Sequence, residues 1–147
     1  MAKVVDLTLV LPSELITIER LTAALKRDQL HVEAGDRLLL RTDWSQRFGT
    51  EEYRHALPRI SLELANWLVT HRVQLVGVEP PSVADVNNKQ EVTEVHHALL
   101  RGGVVIVEGL TNLHQLKQSI VEFVALPMCI VGGDGSPVRA IAIEAAE

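Results

Sequence analysis

The chain has little aromatic surface and almost no sulfur chemistry. Two Trp, one Tyr and two Phe are spread over 147 residues, and there is a single Cys. Trp44, Phe48, Tyr53, Trp67 and Phe123 do not form a run of rings, which excludes a platform for stacking unpaired bases. Basic residues are outnumbered 14 to 19, for a net charge of −5, and they do not cluster. Phosphate backbones are held by clustered Lys and Arg, so a nucleic-acid partner is excluded as well. A lone Cys129 rules out an intrachain disulfide. It lies within the apolar run Phe123 to Val131, where a buried, inert thiol is expected. No apolar stretch approaches the roughly 18 residues needed to span a membrane. Met1-Ala2-Lys3 leads straight into a strand-like run without the pattern of a signal peptide, so the expectation is a soluble cytoplasmic protein.

What is present is enough apolar material, 47% of the chain, for one core, and residues 1–147 are expected to form a single domain. Val4 to Leu11 reads as a strand closed by Pro12. Thr17 is placed to cap a helix running to about Asp28, with Ile18, Leu21 and Leu25 on one face. Leu38 to Leu40 reads as a short buried strand, and Asp43 to Arg59 as a loop holding three of the five aromatics. Ser61 opens a second helix, with Leu64, Trp67 and Leu68 at helical spacing, and Val73 to Val78 reads as a strand. A third helix is expected over Glu91 to Arg101, ended by Gly102-Gly103. Val104 to Val107, a continuous apolar run, is expected to be buried on both faces. A helical turn over Asn112 to Lys117 precedes two closing strands, Phe123 to Val131 and Val138 to Ile143. Strands alternating with helices and then a final strand pair predict an α/β domain with a mixed sheet.

His96 and Glu108 stand out. At 100° per residue from Val92, Val95, Leu99 and Leu100 fall at about 300°, 340° and 80°, and His96 at about 40° on that same apolar face. His97 falls at about 140°, toward solvent. Glu108 ends a strand that otherwise reads as buried, where a charge needs a partner. Two readings fit: a core histidine bonded to a strand-end glutamate, or two ligands of a zinc or manganese ion. Spacing alone favours the first, because catalytic zinc takes three protein ligands. Gly132-Gly133-Asp134-Gly135 leads into a strand and not a helix, so it reads as a hairpin turn and not a phosphate cradle. Asp43, Trp44 and Tyr53 are either surface loop residues or, together, the wall of a pocket. Glu79 and Asp85 flank Pro80-Pro81 as solvated loop charges. His31, His55, His71 and His114 have no partner at a telling spacing.

Four ordered segments carry a resemblance. They are Gly35-Asp36-Arg37-Leu38-Leu39-Leu40-Arg41-Thr42-Asp43-Trp44-Ser45, then Val73 to Val83, then His96-His97-Ala98-Leu99-Leu100-Arg101-Gly102-Gly103 to Glu108-Gly109-Leu110, and Ala125 to Ala140. In that order they resemble the cyclase family, which includes bacterial kynurenine formamidases. The resemblance implies a three-layer β/β/α swivelling domain, here truncated at its N-terminus, and a metal-dependent hydrolase of small-molecule amides. It implies that a histidine and a glutamate twelve residues later are metal ligands, an interval His96 and Glu108 keep (108 − 96 = 12). It also implies a homo-oligomer, with a dimer the simplest form. Trp44 and Tyr53 are then the candidate substrate-pocket residues.

The departures matter equally. The family's run His-x-Gly-Thr-His-x-Asp-x-Pro-x-His, which supplies the remaining ligands and a catalytic histidine, has no counterpart, since no histidine precedes His31. Gly77-Val78-Glu79-Pro80 stands where the family has Gly-Val-Asp-Thr. The expectation is a chain too poor in ligands to act alone. It is either an enzyme completed by a second polypeptide or an inactive member serving as a binding or structural subunit.

Overall fold

Local signals fix the helix starts. Thr17, Ser61 and Asn88 each accept, through a side-chain oxygen, a backbone N–H three residues on, which satisfies a donor the helix itself leaves free. The computed structural model describes residues 1–145. Among them the helices are α1 (Ile18–Arg27), α2 (Glu51–His55), α3 (Leu62–Thr70) and α4 (Lys89–Arg101). The strands are β1 (Ala2–Asp6), β2 (Leu15–Ile16), β3 (Arg37–Arg41), β4 (Arg59–Ile60), β5 (Leu75–Val78), β6 (Val105–Val107), β7 (Ile120–Pro127) and β8 (Val138–Ile143).

Six strands form one mixed sheet in the order β6-β5-β3-β1-β7-β8, and β2 and β4 pair separately. Strands β1, β3, β5 and β6 are parallel, with β7 and β8 antiparallel. The chain moves from β1 to β3 to β5 to β6 in one direction, through α1, α3 and α4. Right-handed crossovers that all step the same way put α1, α3 and α4 on one face. That face carries Val5, Leu38, Leu40, Val76 and Val78 against Leu21, Leu25, Leu64, Leu68, Val95 and Leu99, all buried.

The other face is covered from within the chain. Ala2, Val4, Leu39, Leu75 and Val107 lie under Leu110 and Leu113 of the loop after β6, with Leu116, Phe123, Ala125, Ala140 and Ala142 packed around them. Gly77 lets that loop cross closely, since a Cβ there would stand 2.7 Å from Leu110 Cδ1. Only Ile120 and Val121 of β7 pair with β1. The rest of β7 pairs with β8 alone, and the hairpin curls over the sheet.

Several expectations are corrected. The first strand ends at Asp6 and does not reach Leu11, because the Asp6 carboxylate accepts the Thr8 N–H and hydroxyl at 3.0 and 2.7 Å and turns the chain. β6 is an edge strand with Val105 51% exposed, so it is not buried on both faces. Cys129 is exposed, because β7 stops at Pro127 and the following segment leaves the sheet. The Asp43–Arg59 loop contains a 3-10 turn, Trp44–Arg47, and all of α2. No helix among the described residues is long and apolar enough to cross a membrane.

Lys3 on β1 donates to Asp36 Oδ2 at 2.6 Å, and the Glu33 N–H reaches the same oxygen at 2.7 Å, fixing the turn into β3. Burial pushes the Asp36 carboxyl up. The Lys3 and Glu33 hydrogen bonds and the Lys3 charge outweigh it and hold the group below its ordinary value. A depressed folded-state value means the stabilisation is complete above the unfolded value, about pH 4, and is lost as pH falls through the folded one. Urea unfolding is therefore expected to show D36N less stable than the wild type by about 1.5 kcal/mol at neutral pH, with the difference shrinking below about pH 4.

Candidate functional site

The parallel strands end together, and the residue just past each end is aimed at a shared edge, where open α/β sheets commonly bind ligands. Past β5 comes Glu79, and past β6 comes Glu108. Glu108 Oε1 accepts the Val83 N–H at 2.9 Å, which ties the 80–88 loop to β6. The same oxygen stands 3.2 Å from His96 Nε2 of α4. His96 is half-buried against Glu108, while His97 is exposed, as their places on the helix require.

His96 Nδ1 lies 2.8 Å from the Val92 carbonyl, which can only accept, so Nδ1 carries the proton. Neutral His96 then turns a bare Nε2 lone pair toward Glu108. The hydrogen bond to Glu108 raises the imidazole above its ordinary value; burial opposes this, and the Val92 bond and the Glu108 charge reinforce it. Without a cation, the pair is best satisfied with a proton between them.

An imidazole nitrogen with its second nitrogen fixed by a carbonyl is how proteins present histidine to zinc or manganese. The 3.2 Å separation from a carboxylate oxygen matches neighbouring ligands around an ion with bonds of about 2.0–2.1 Å. The donor chemistry fits a divalent ion, but the number does not complete a site. Among the described residues no group of three or more His, Cys, Asp or Glu side chains stands close enough to hold one.

Of the proposed pocket residues, Tyr53 lines a cleft of roughly 220 Å³ with Ser45, Phe48, Gly109, Leu110 and Thr111, next to Glu108 in sequence. Trp44 lies behind that wall. It is buried, its Nε1–H donates to the Tyr53 carbonyl at 2.9 Å, and the Arg47 guanidinium covers its ring at 4.6 Å. Trp44 therefore holds the loop in shape, and Asp43 takes a left-handed conformation (φ 57°) at the start of the turn while pairing with Arg41.

Glu79, expected as a solvated loop charge, is fully buried. Its Oε2 accepts the Thr42 N–H at 2.8 Å and the Thr42 hydroxyl at 3.3 Å, and its Oε1 accepts the Ser45 hydroxyl at 2.8 Å. Tyr53 Oη donates to the Glu79 carbonyl at 3.0 Å. Burial, then the nearby Glu79 charge, push the Tyr53 phenol above its ordinary value. The signal that flags Glu108, a charge directly after a buried strand, also applies to Glu79 after Leu75–Val78. The following Pro80-Pro81 obscured it by reading as open loop.

E79A would leave the Thr42 N–H and the Ser45 hydroxyl without an acceptor in the interior. It is expected to cost about 3 kcal/mol in urea unfolding. E79Q, which keeps the shape and an acceptor, is expected to cost less than half of that.

Against known proteins, the Cyclase family model matches residues 1–85. Kynurenine formamidase of Bacillus cereus is 33% identical over 144 residues, 95% of this chain and 66% of that protein. A solved structure described as a potential metal-dependent hydrolase with cyclase activity superimposes with a TM-score of 0.76 at 26% identity, over 96% of this chain and 63% of the other. Isatin hydrolase A from Ralstonia solanacearum gives a TM-score of 0.77 at 27% identity, over 97% and 59%. The chain thus spans a little under two thirds of the length of these relatives. Over the part it does span, sequence and fold agree that the chain belongs to the cyclase family.

Proposed function

We propose that this chain is part of a metal-dependent amide hydrolase, with His96 and Glu108 as two of the metal ligands. One observation carries the reading: a half-buried imidazole and carboxylate face each other at 3.2 Å on the strand-end edge, each braced from behind by the backbone. A bound divalent ion supplies carbonyl polarisation and a water of lowered pKa. The chain's own part is orientation. The Val92 carbonyl selects the His96 tautomer, and the Val83 N–H holds the Glu108 carboxylate in place. Tyr53, Ser45 and Thr111 form the adjoining wall for a small amide substrate. The three-layer β/β/α arrangement of the family is consistent with helices on one face of the sheet and the curled hairpin on the other.

With only two such donors brought together among the described residues, a second reading is that the chain is an inactive family member acting as a binding or structural subunit. The two readings share an expectation and then divide. With added zinc or manganese the chain alone is expected to hydrolyse aryl formamides far below about 1 per second; turnover at ordinary enzyme rates overturns the incompleteness. Zinc binding followed by calorimetry is expected to weaken at least tenfold in H96A and in E108A. Zinc affinity indifferent to both substitutions removes the metal-site reading and leaves the structural subunit.

We also propose self-association as a two-fold dimer through the outer face of the β7–β8 hairpin. Ile120, Leu126, Ile141 and Ile143 are exposed there, with Glu122 and Arg139 near opposite ends. An apolar patch flanked by opposite charges is self-complementary across a two-fold axis. Light scattering at micromolar concentration is expected to give twice the chain mass, falling toward the monomer mass in L126E/I141E.

A further inference from the structure

Both residues of the short strand β4 reach across to the segments that carry the strand-end edge. The Ile60 N–H donates to the Val83 carbonyl at 2.8 Å. Arg59 Nε–H donates to Glu91 Oε1 at 2.8 Å, and the Asp85 N–H reaches the same oxygen at 3.1 Å. The Arg59 and Glu91 side chains are only 19% and 21% exposed. A charge-assisted bond sheltered in this way is stronger, and less screened by salt, than one at an open surface.

Glu91 is the third residue of α4, a place from which a glutamate ordinarily reaches back to the N–H of the cap residue, here Asn88. That N–H is already taken by the Asp85 carbonyl at 2.8 Å. The Glu91 carboxylate goes one step further and holds the Asp85 N–H. It thereby joins three parts of the chain: β4 through Arg59, the 80–88 loop through Asp85, and α4 through its own backbone.

Both members of the His96–Glu108 pair depend on that junction. His96 lies on the same helix as Glu91. Glu108 takes its backbone hydrogen bond from Val83, two residues before Asp85. Val83 and Ala84 are buried, which keeps this segment on the core. Apolar burial has no direction, so it does not set where the Val83 N–H points. The hydrogen bonds at the Val83 carbonyl and the Asp85 N–H do.

We propose that the Arg59–Glu91 ion pair is a positioning pair for His96 and Glu108. It holds residues 83–85 and the first turn of α4 in one frame, and so sets the 3.2 Å between imidazole and carboxylate. Arg59 and Glu91 act through the Val83 N–H and through the helix. The proposal rests on the metal-ligand reading for the use of the pair, and not for its geometry.

The test uses the full chain and two readouts. The first is amide hydrogen exchange at Val83 in the metal-free protein, set against stability from urea unfolding. E91A and R59Q are each expected to speed it about tenfold beyond what their loss of stability accounts for, toward the rate in E108A, which lacks the acceptor. D36N, at the opposite end of the parallel strands, is expected to leave Val83 exchange in step with stability. The second readout is zinc affinity by calorimetry. E91A and R59Q are expected to weaken it about tenfold, and D36N to leave it unchanged. R59K keeps the cation and is expected to recover most of the loss. Val83 exchange that merely follows stability in E91A and R59Q overturns the proposal. So does a freed Val83 amide with undiminished zinc affinity, where H96A and E108A do weaken zinc. If zinc is indifferent to H96A and E108A as well, the metal-site reading falls, and Val83 exchange alone decides the positioning role. Should E91A not fold, R59Q carries the test.

Discussion

Every parallel step in this chain goes the same way, and the site depends on that constraint. Three right-handed crossovers in one direction gather α1, α3 and α4 on one face of the sheet. The second face would remain apolar and open unless the rest of the chain returned to it. The loop after β6 does so by laying Leu110 over Gly77, and the β7–β8 hairpin by leaving β1 after two residues and curling. Glu108 and Gly109 lie at the start of that returning loop, so the packing that closes the core also sets where the carboxylate can point.

Two glutamates occupy equivalent places past neighbouring strands and have opposite fates. Glu79 is surrounded by donors and sealed from water, so it acts as an internal anchor joining the Thr42–Ser45 turn to β5. Breaking such an arrangement from one side is far more damaging than its net worth would indicate, because the remaining groups stay buried and unpaired. Glu108 has one backbone donor and one histidine and keeps access to solvent. It can exchange a shared proton for a cation, which a fully satisfied carboxylate cannot do without losing its own contacts. What separates the sealed anchor from the open carboxylate is how many protein donors reach its oxygens.

Membership in the cyclase family accounts for the parallel frame of the sheet. Within that frame Glu79 is buried past β5, and its hydrogen bonds with Thr42, Ser45 and Tyr53 set the loop bearing Trp44, Phe48 and Tyr53. Trp44, the more conspicuous residue in the sequence, is the brace for that loop, and Tyr53 and Phe48 reach the cleft.

The sequence by itself determined what local chemistry can determine. Thr17 and Ser61 marked helix starts, because a cap needs only a side chain and an N–H three residues away. The angle between His96 and His97 on one helix separated the inward from the outward ring, because periodicity is a local property. Four ordered segments carried the family. Only the tertiary structure decided the rest. Whether Val105 is buried depends on whether another strand lies beside β6, and among the described residues none does. Whether Cys129 is covered depends on where β7 leaves the sheet. The burial of Glu79 depends on Thr42 and Ser45, more than thirty residues earlier, arriving with their donors, and no pattern within a single segment records a partner supplied by another.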